Sequence, residues 1–317
     1  MLFFLILILL LVAVSGWIER IMRSDDAYVQ ERNKSIYRIL GEKENNVDVL
    51  VLGDSLSFSS VSPMLWWKNY GITGYVCGQP DQRMQEAYYM LKTAYTTQRP
   101  KLVILETNAM FRSKSLIPEI GDCIEAYGSR YISIFRGHDV WKSVLYGKTY
   151  PDENYKGYAF RDQVVAYEGG EYMQTTDEKE EVSDVVIFYL NRIYAFCRKN
   201  GAELLLISAP SPENYNYARH NSIEAYAAQK GIPYLDLNLE TDEIGIDWQT
   251  DSLDTGDHLN CSGADKVTRY LGRYLAENYN LPDHRSDIEY QDWNDELTRY
   301  EAEAEQELIK VRVNSNK

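Results

Sequence analysis

The stretch VDVLVLGDSLSFSS, residues 47–60, decides the fold. A Val/Leu run that halts at Gly53-Asp54-Ser55 fits a strand buried on both faces, as in a parallel sheet. Gly53 lets the chain turn sharply, and the residues after Ser55 can open a helix. The backbone N–H groups of that helix start suit a developing negative charge. The serine is thereby set at the carboxyl edge of the sheet, where α/β enzymes place their sites. Read alone, the segment is equally a strand followed by a serine N-cap.

Similar apolar runs recur outward from it: GYVCG (74–78), KLVILET (101–107), AELLLISA (202–209) and PYLDLNL (233–239). Helical patterns lie between or after them, at 85–97, 184–201, 222–231 and 263–279, the second ending in Gly201 as a C-cap signal. Strands alternating with helices predict a three-layer α/β/α sandwich with a mainly parallel, five-stranded sheet and right-handed crossovers. One domain of this architecture is expected over 47–283. Residues 109–183 are too long for a connection and read as an insertion that shapes a binding site. Residues 284–317 read as a charged helical tail and 19–46 as a polar helical linker.

The 317 residues are 44% apolar, enough for a large core. A net charge of −15 with no Lys/Arg-rich run argues against nucleic acid as a partner. The 26 tyrosines suit sugar-contacting or interface surfaces, and packing explains them equally well. Residues 1–18 form a hydrophobic segment at the short end of what spans a bilayer. A membrane anchor and a secretory signal with a cleavage site near Ala13-Val14-Ser15 compete for it. Arg20 and Arg23 are the first basic residues, which taken literally would leave the body cytoplasmic. The expectation here is instead a basic segment upstream, a membrane anchor and an extracytoplasmic body. Cys77, Cys123, Cys197 and Cys261 lack metal-type spacing, although Cys77 and Cys261 flank motifs that can approach each other.

A serine nucleophile needs a base, and the base needs a carboxylate to fix its tautomer. His138 and His284 lie in plain polar surroundings, and His220 lies in a Tyr/Asn/Arg-rich stretch. Only His258, in DTGDHLN (254–260), has acids on both sides of a turn, with Asp254 four residues before it and Asp257 adjacent. Asn108 ends another buried strand in LVILETNAMF (102–111), where a side-chain amide can serve an oxyanion. Gly78 ends the second strand in YVCGQP, with its N–H free to point to the same spot. Each has a plain alternative: Asn108 and Gly78 as turn formers, Asp257 or Asn260 as a helix cap.

The order Ser, Gly, Asn, His resembles the SGNH/GDSL hydrolase superfamily over about residues 47–280. The resemblance implies Ser55 as nucleophile, His258 as base, and an oxyanion hole of the Ser55 and Gly78 N–H groups with the Asn108 side chain. Two departures stand out. The Gly-x-Asn-Asp block appears as Glu106-Thr107-Asn108-Ala109, and Thr255 stands three residues before His258 where the family has aspartate. Asp254 is the favoured acid and Asp257 the alternative; with neither, a slower Ser–His dyad remains.

The resulting expectation is a serine-dependent ester hydrolase, anchored to the membrane, that removes O-acyl groups from a cell-surface glycan or another small ester. An O-acyltransferase working beside an integral-membrane partner is the second reading, and a non-catalytic binding protein of the same fold the third. No cofactor and no metal are expected, because no His/Asp/Glu set has ligand spacing.

Overall fold

The computed structural model describes residues 2–24, 26–112, 116–137, 139–150 and 154–315. Five parallel strands form one sheet: β1 (Val49–Leu52), β2 (Gly74–Val76), β3 (Leu102–Glu106), β4 (Glu203–Ser208) and β5 (Tyr234–Asp236). Their order is β2-β1-β3-β4-β5. The register sets Val51 beside Val76 and Ile104, so the strands end along a common edge.

The strand runs are apolar without alternation because both faces are covered. Leu50, Leu52, Val103, Leu105, Leu204 and Leu206 pack into one core. That core is completed by α2 (Glu31–Gly41), α5 (Met84–Ala94), α9 (Asp184–Lys199) and α10 (Tyr217–Lys230). Their neighbours Val49, Val51, Ile104, Leu205 and Ile207 face the opposite core. There they meet Trp66 of α4 (Pro63–Tyr70) and Leu271 and Leu275 of α12 (Cys261–Asn278), which follows the short α11 (Thr241–Ile244). This is the three-layer α/β/α sandwich expected from the sequence.

The segment between β3 and β4 starts with a short 3₁₀ turn at Thr107–Phe111. It continues through α6 (Leu116–Tyr131), α7 (Ser133–Arg136) and α8 (Val140–Tyr146), then runs irregularly to α9. Within it, Tyr155 and Tyr158 join Trp67 and Trp293 in a separate cluster. Lys156 is buried and bridges Glu42 and Glu296, each at 2.9 Å, with its ammonium 4.5 Å from the Trp293 ring. Its carbonyl accepts the Val76 N–H at the outer side of β2. Burial alone would lower the Lys156 pKa, but the two carboxylates outweigh it and the pKa is raised.

The C-terminal segment, expected as a charged tail, is α13 (Gln291–Asn314). It is docked rather than loose: Trp293 and Tyr300 are buried, and Ser62 donates to the Tyr300 hydroxyl at 2.9 Å. His284, expected in plain surroundings, bridges Asp48 and Asp287 and stacks on Tyr290. His138 lies outside the described residues. The N-terminal helix α1 (Leu2–Ser24) runs unbroken past the boundary expected at residue 18. By length and composition it can cross a membrane or serve as a signal sequence. Its Ile18 and Met22 are buried against the body.

Candidate active site

The turn after β1 is built around Gly53. Its φ of 148° is costly for any side chain, and a β-carbon there would lie 2.6 Å from Cβ of Glu106. The turn is held from outside by the loop after β2. Gln82 is fully buried and accepts the Gly53 N–H at 3.0 Å, while the Gln79 N–H donates to the Gly53 carbonyl. Asp54 then caps the short helix α3 (Ser55–Ser60), accepting from the Leu56 N–H at 3.0 Å. Ser55 occupies the first helical position, where its own N–H has no intrahelical acceptor.

The Ser55 hydroxyl lies 2.7 Å from Nε2 of His258. The other ring nitrogen, Nδ1, lies 2.8 Å from Oδ2 of Asp254, and Oδ1 of the same carboxylate accepts the His258 backbone N–H at 2.7 Å. Asp257 stands further off, 3.5 Å from Nδ1, with its other oxygen accepting from Asn214 at 2.6 Å. The extra residue in this loop is taken up by a tight reversal. Thr255 and Gly256 adopt φ of 59° and 91°, and the Leu253 N–H closes on the His258 carbonyl at 2.9 Å. Four residues of spacing thus bring Asp254 to the imidazole.

Asn108 and Gly78 converge on the same helix start. Nδ2 of Asn108 donates to Asp54 at 2.8 Å and makes a longer contact of 3.4 Å with Asn214. Among the described residues the Gly78 N–H has no hydrogen-bond partner. Gly78 is packed against α3 so closely that a β-carbon would fall 2.2 Å from Oγ of Ser57. Ser55, Gly78, Asn108, His258 and Asp254 are therefore gathered at one edge of the sheet, with Asp257 beside them.

Several residues that the sequence reading passed over complete the surroundings. Arg112 donates to Asp54 at 2.6 Å and to Asp81 at 2.7 Å, tying the serine turn to the Gly78 loop. Asn214 spans from Asn108 to Asp257 and Ser211. Glu106 is fully buried beneath the turn and accepts from Tyr215 and from the Asn108 N–H. Burial, then the nearby Asp54 charge, pushes its carboxyl up to about 8. A charged residue closing an otherwise apolar strand was the signal for Glu106. Asn214 sits in a loop whose pattern carries none.

Asp254, Asp257 and His258 also bring three potential ligand atoms within 4.8 Å of one another, a grouping that chain spacing did not suggest. In this arrangement the imidazole is already committed to Ser55 and Asp254. The four cysteines are free thiols, so Cys77 and Cys261 are not bridged.

No family model matches the chain, and no curated protein matches it. Among solved structures it is similar to a protein from Desulfitobacterium hafniense assigned to the G-D-S-L lipolytic family. That match has 14% identity, covers 73% of this chain and 100% of the other, and has a TM-score of 0.42. What the chain resembles is of GDSL type. A protein from Bacteroides fragilis assigned as an acylhydrolase matches with 13% identity, 80% and 98% coverage and a TM-score of 0.40. A GDSL-like lipase from Bacteroides thetaiotaomicron matches with 12% identity, 82% and 98% coverage and a TM-score of 0.39.

Proposed function

We propose that this chain is a serine-dependent ester hydrolase that removes O-acyl groups from a cell-surface glycan. The observation that carries the reading is the unbroken line of contacts from the Ser55 hydroxyl through His258 to Asp254. His258 takes the hydroxyl proton as Ser55 attacks the ester carbonyl, and Asp254 holds the imidazole in the required tautomer. The carbonyl oxygen, now negative, is received by the N–H groups of Ser55 and Gly78. Asn108 joins them by exchanging its weak contact with Asn214 for the oxyanion. His258 returns the proton to the leaving alkoxide, and water, activated by the same imidazole, releases the acid from the acyl-enzyme.

A polyhydroxylated substrate is favoured by what adjoins the Gly78 loop. Gln79 and Asp81 border a cavity of about 530 Å³ whose walls include Arg32, Asn33, Glu86 and Asp122. Such a polar chamber suits sugar hydroxyls better than an acyl tail. The body is assigned to the extracytoplasmic side, tethered through α1.

Purified protein assayed on p-nitrophenyl acetate, with and without a soluble glycan, tests the reaction. Serine-dependent acetate release that the glycan leaves unchanged is the expected result. Release that depends on the glycan, with the acyl group appearing on it, would reassign the site to O-acyl transfer beside a membrane partner. Failure of wild type to label with a fluorophosphonate any better than Ser55→Ala would remove both readings in favour of a binding protein. Protease treatment of intact cells checks the assigned side of the membrane.

A further inference from the structure

Helices α6, α7 and α8 carry a surface that the proposed chemistry does not use. Ile120, Ile124, Tyr127 and Tyr131 recur along one side of α6 and are exposed. Phe135 of α7 continues the exposed apolar surface, as do Trp141, Leu145 and Tyr146 of α8. Ile124 is 69% exposed, Leu145 68% and Tyr146 77%. Soluble surfaces rarely carry so many large apolar side chains together unless something covers them.

The position of α1 indicates what covers them. Its side chains from Leu2 to Val12 are exposed, whereas Ile18 and Met22 are buried against α7 and α8. The approach is close: a β-carbon on Gly137 would lie 2.4 Å from Sδ of Met22. A spanning helix that leaves the body at Ile18 has its first exposed turn, with Trp17, at the level of these helices. A bilayer holding residues 2–17 would meet α6–α8 at its surface. The composition fits that depth, since Tyr and Trp favour the headgroup layer, where their rings are half apolar and half polar. Charge fits as well. Residues 116–148 hold four acids and four Lys or Arg, so this patch is charge-balanced within a chain of net charge −15.

We infer that α6–α8 form a second membrane contact that lies in the headgroup region beside α1 and seats the body on the bilayer. The inference rests on the membrane reading of α1, and its test separates the two.

The full chain is reconstituted into phosphatidylcholine/phosphatidylglycerol vesicles. Single nitroxides are introduced by Ile124→Cys, Leu145→Cys or Tyr146→Cys in a Cys123→Ser background, the other native cysteines being buried. Ile288→Cys, 84% exposed on a short turn before α13, serves as the water-facing reference, and Leu9→Cys reports on the span. Collision with oxygen relative to a water-soluble nickel complex is measured by electron spin resonance. The expected ratio at 124, 145 and 146 is several-fold above that at 288. Values matching 288 overturn the contact, whatever Leu9 shows. Protection from both reagents overturns it too, in favour of a protein cover such as a second copy. A lipid signal at 124, 145 and 146 with a water signal at Leu9 keeps the contact and removes the span.

Discussion

Among the histidine–aspartate pairs of the described residues, two share their first half. His258 and His220 each place Nδ1 2.8 Å from an aspartate oxygen, Asp254 in one case and Asp236 in the other. The second halves differ. Nε2 of His258 faces a serine hydroxyl at a helix start, whereas Nε2 of His220 faces Glu224 at 3.7 Å. The His220 ring also packs beside Tyr217 and Tyr234, and the Tyr234 hydroxyl donates to the same Asp236. A carboxylate that orients an imidazole is thus common to structure and to chemistry. What marks the pair proposed as reactive is the group opposite the second ring nitrogen.

The comparison breaks most sharply at the proposed nucleophile. Ser55→Ala or His258→Ala should lower ester turnover by on the order of 10⁴-fold or more, while His220→Ala leaves it near wild type. Equal losses from the two histidines, in steady-state assays, would erase the distinction. Next comes the choice of acid. Asp254→Asn should cost roughly 10⁴-fold in kcat by favouring the wrong tautomer, and Asp257→Asn far less. The reverse ranking would move the orienting role to Asp257. Asn108→Ala should follow with a loss of about 10²–10³-fold in kcat, read in the same steady-state assays.

Much of the fold was legible because buried parallel strands write themselves as unbroken Val/Leu runs. Their ends carried Ser55, Gly78 and Asn108 with them. The acid was harder to read. Spacing along the chain favours Asp254 only if the left-handed turn at Thr255-Gly256 is foreseen, and a Thr at positive φ is not written in composition. Arg112 and Asn214 were missed for a related reason: both reach the site from irregular segments, where no periodicity says which way a side chain points. The docking of α13 was hidden because its anchors, Trp293 and Tyr300, sit within a run of charges.

Smaller effects sharpen the contrast through pH. Glu106 holds its proton up to about 8 in the folded state, against 4.5 ordinarily, because burial and Asp54 disfavour its charge. Between those values the folded chain binds a proton that the unfolded chain has released, so stability falls as pH rises, by on the order of 1 kcal/mol per unit. Urea midpoints from pH 5 to 8 should show this decline, and Glu106→Gln should flatten it. His220 acts in the same direction at lower amplitude. Its hydrogen bond to Asp236 raises its pKa, so its contribution is full below 6.5 and fades as pH climbs through the raised value. His220→Gln should cost more at pH 6 than at pH 9, because the part that fades belongs to the charged imidazole while its packing and neutral hydrogen bond persist. A constant cost across that range would mean the imidazole is held neutral.

Lys156 has a consequence for how the chain tolerates shortening. One ammonium joins Glu42, Glu296 and the Trp293 ring, while the carbonyl of the same residue seals the rim of the sheet. Deleting the last helix would strip away one anion and the indole together. A half-neutralised cation would stay in the interior, and a strand margin would lose its cover, opening a template for association between molecules. The far end of the polypeptide thereby guards the flank of a sheet whose first strand lies more than two hundred residues upstream.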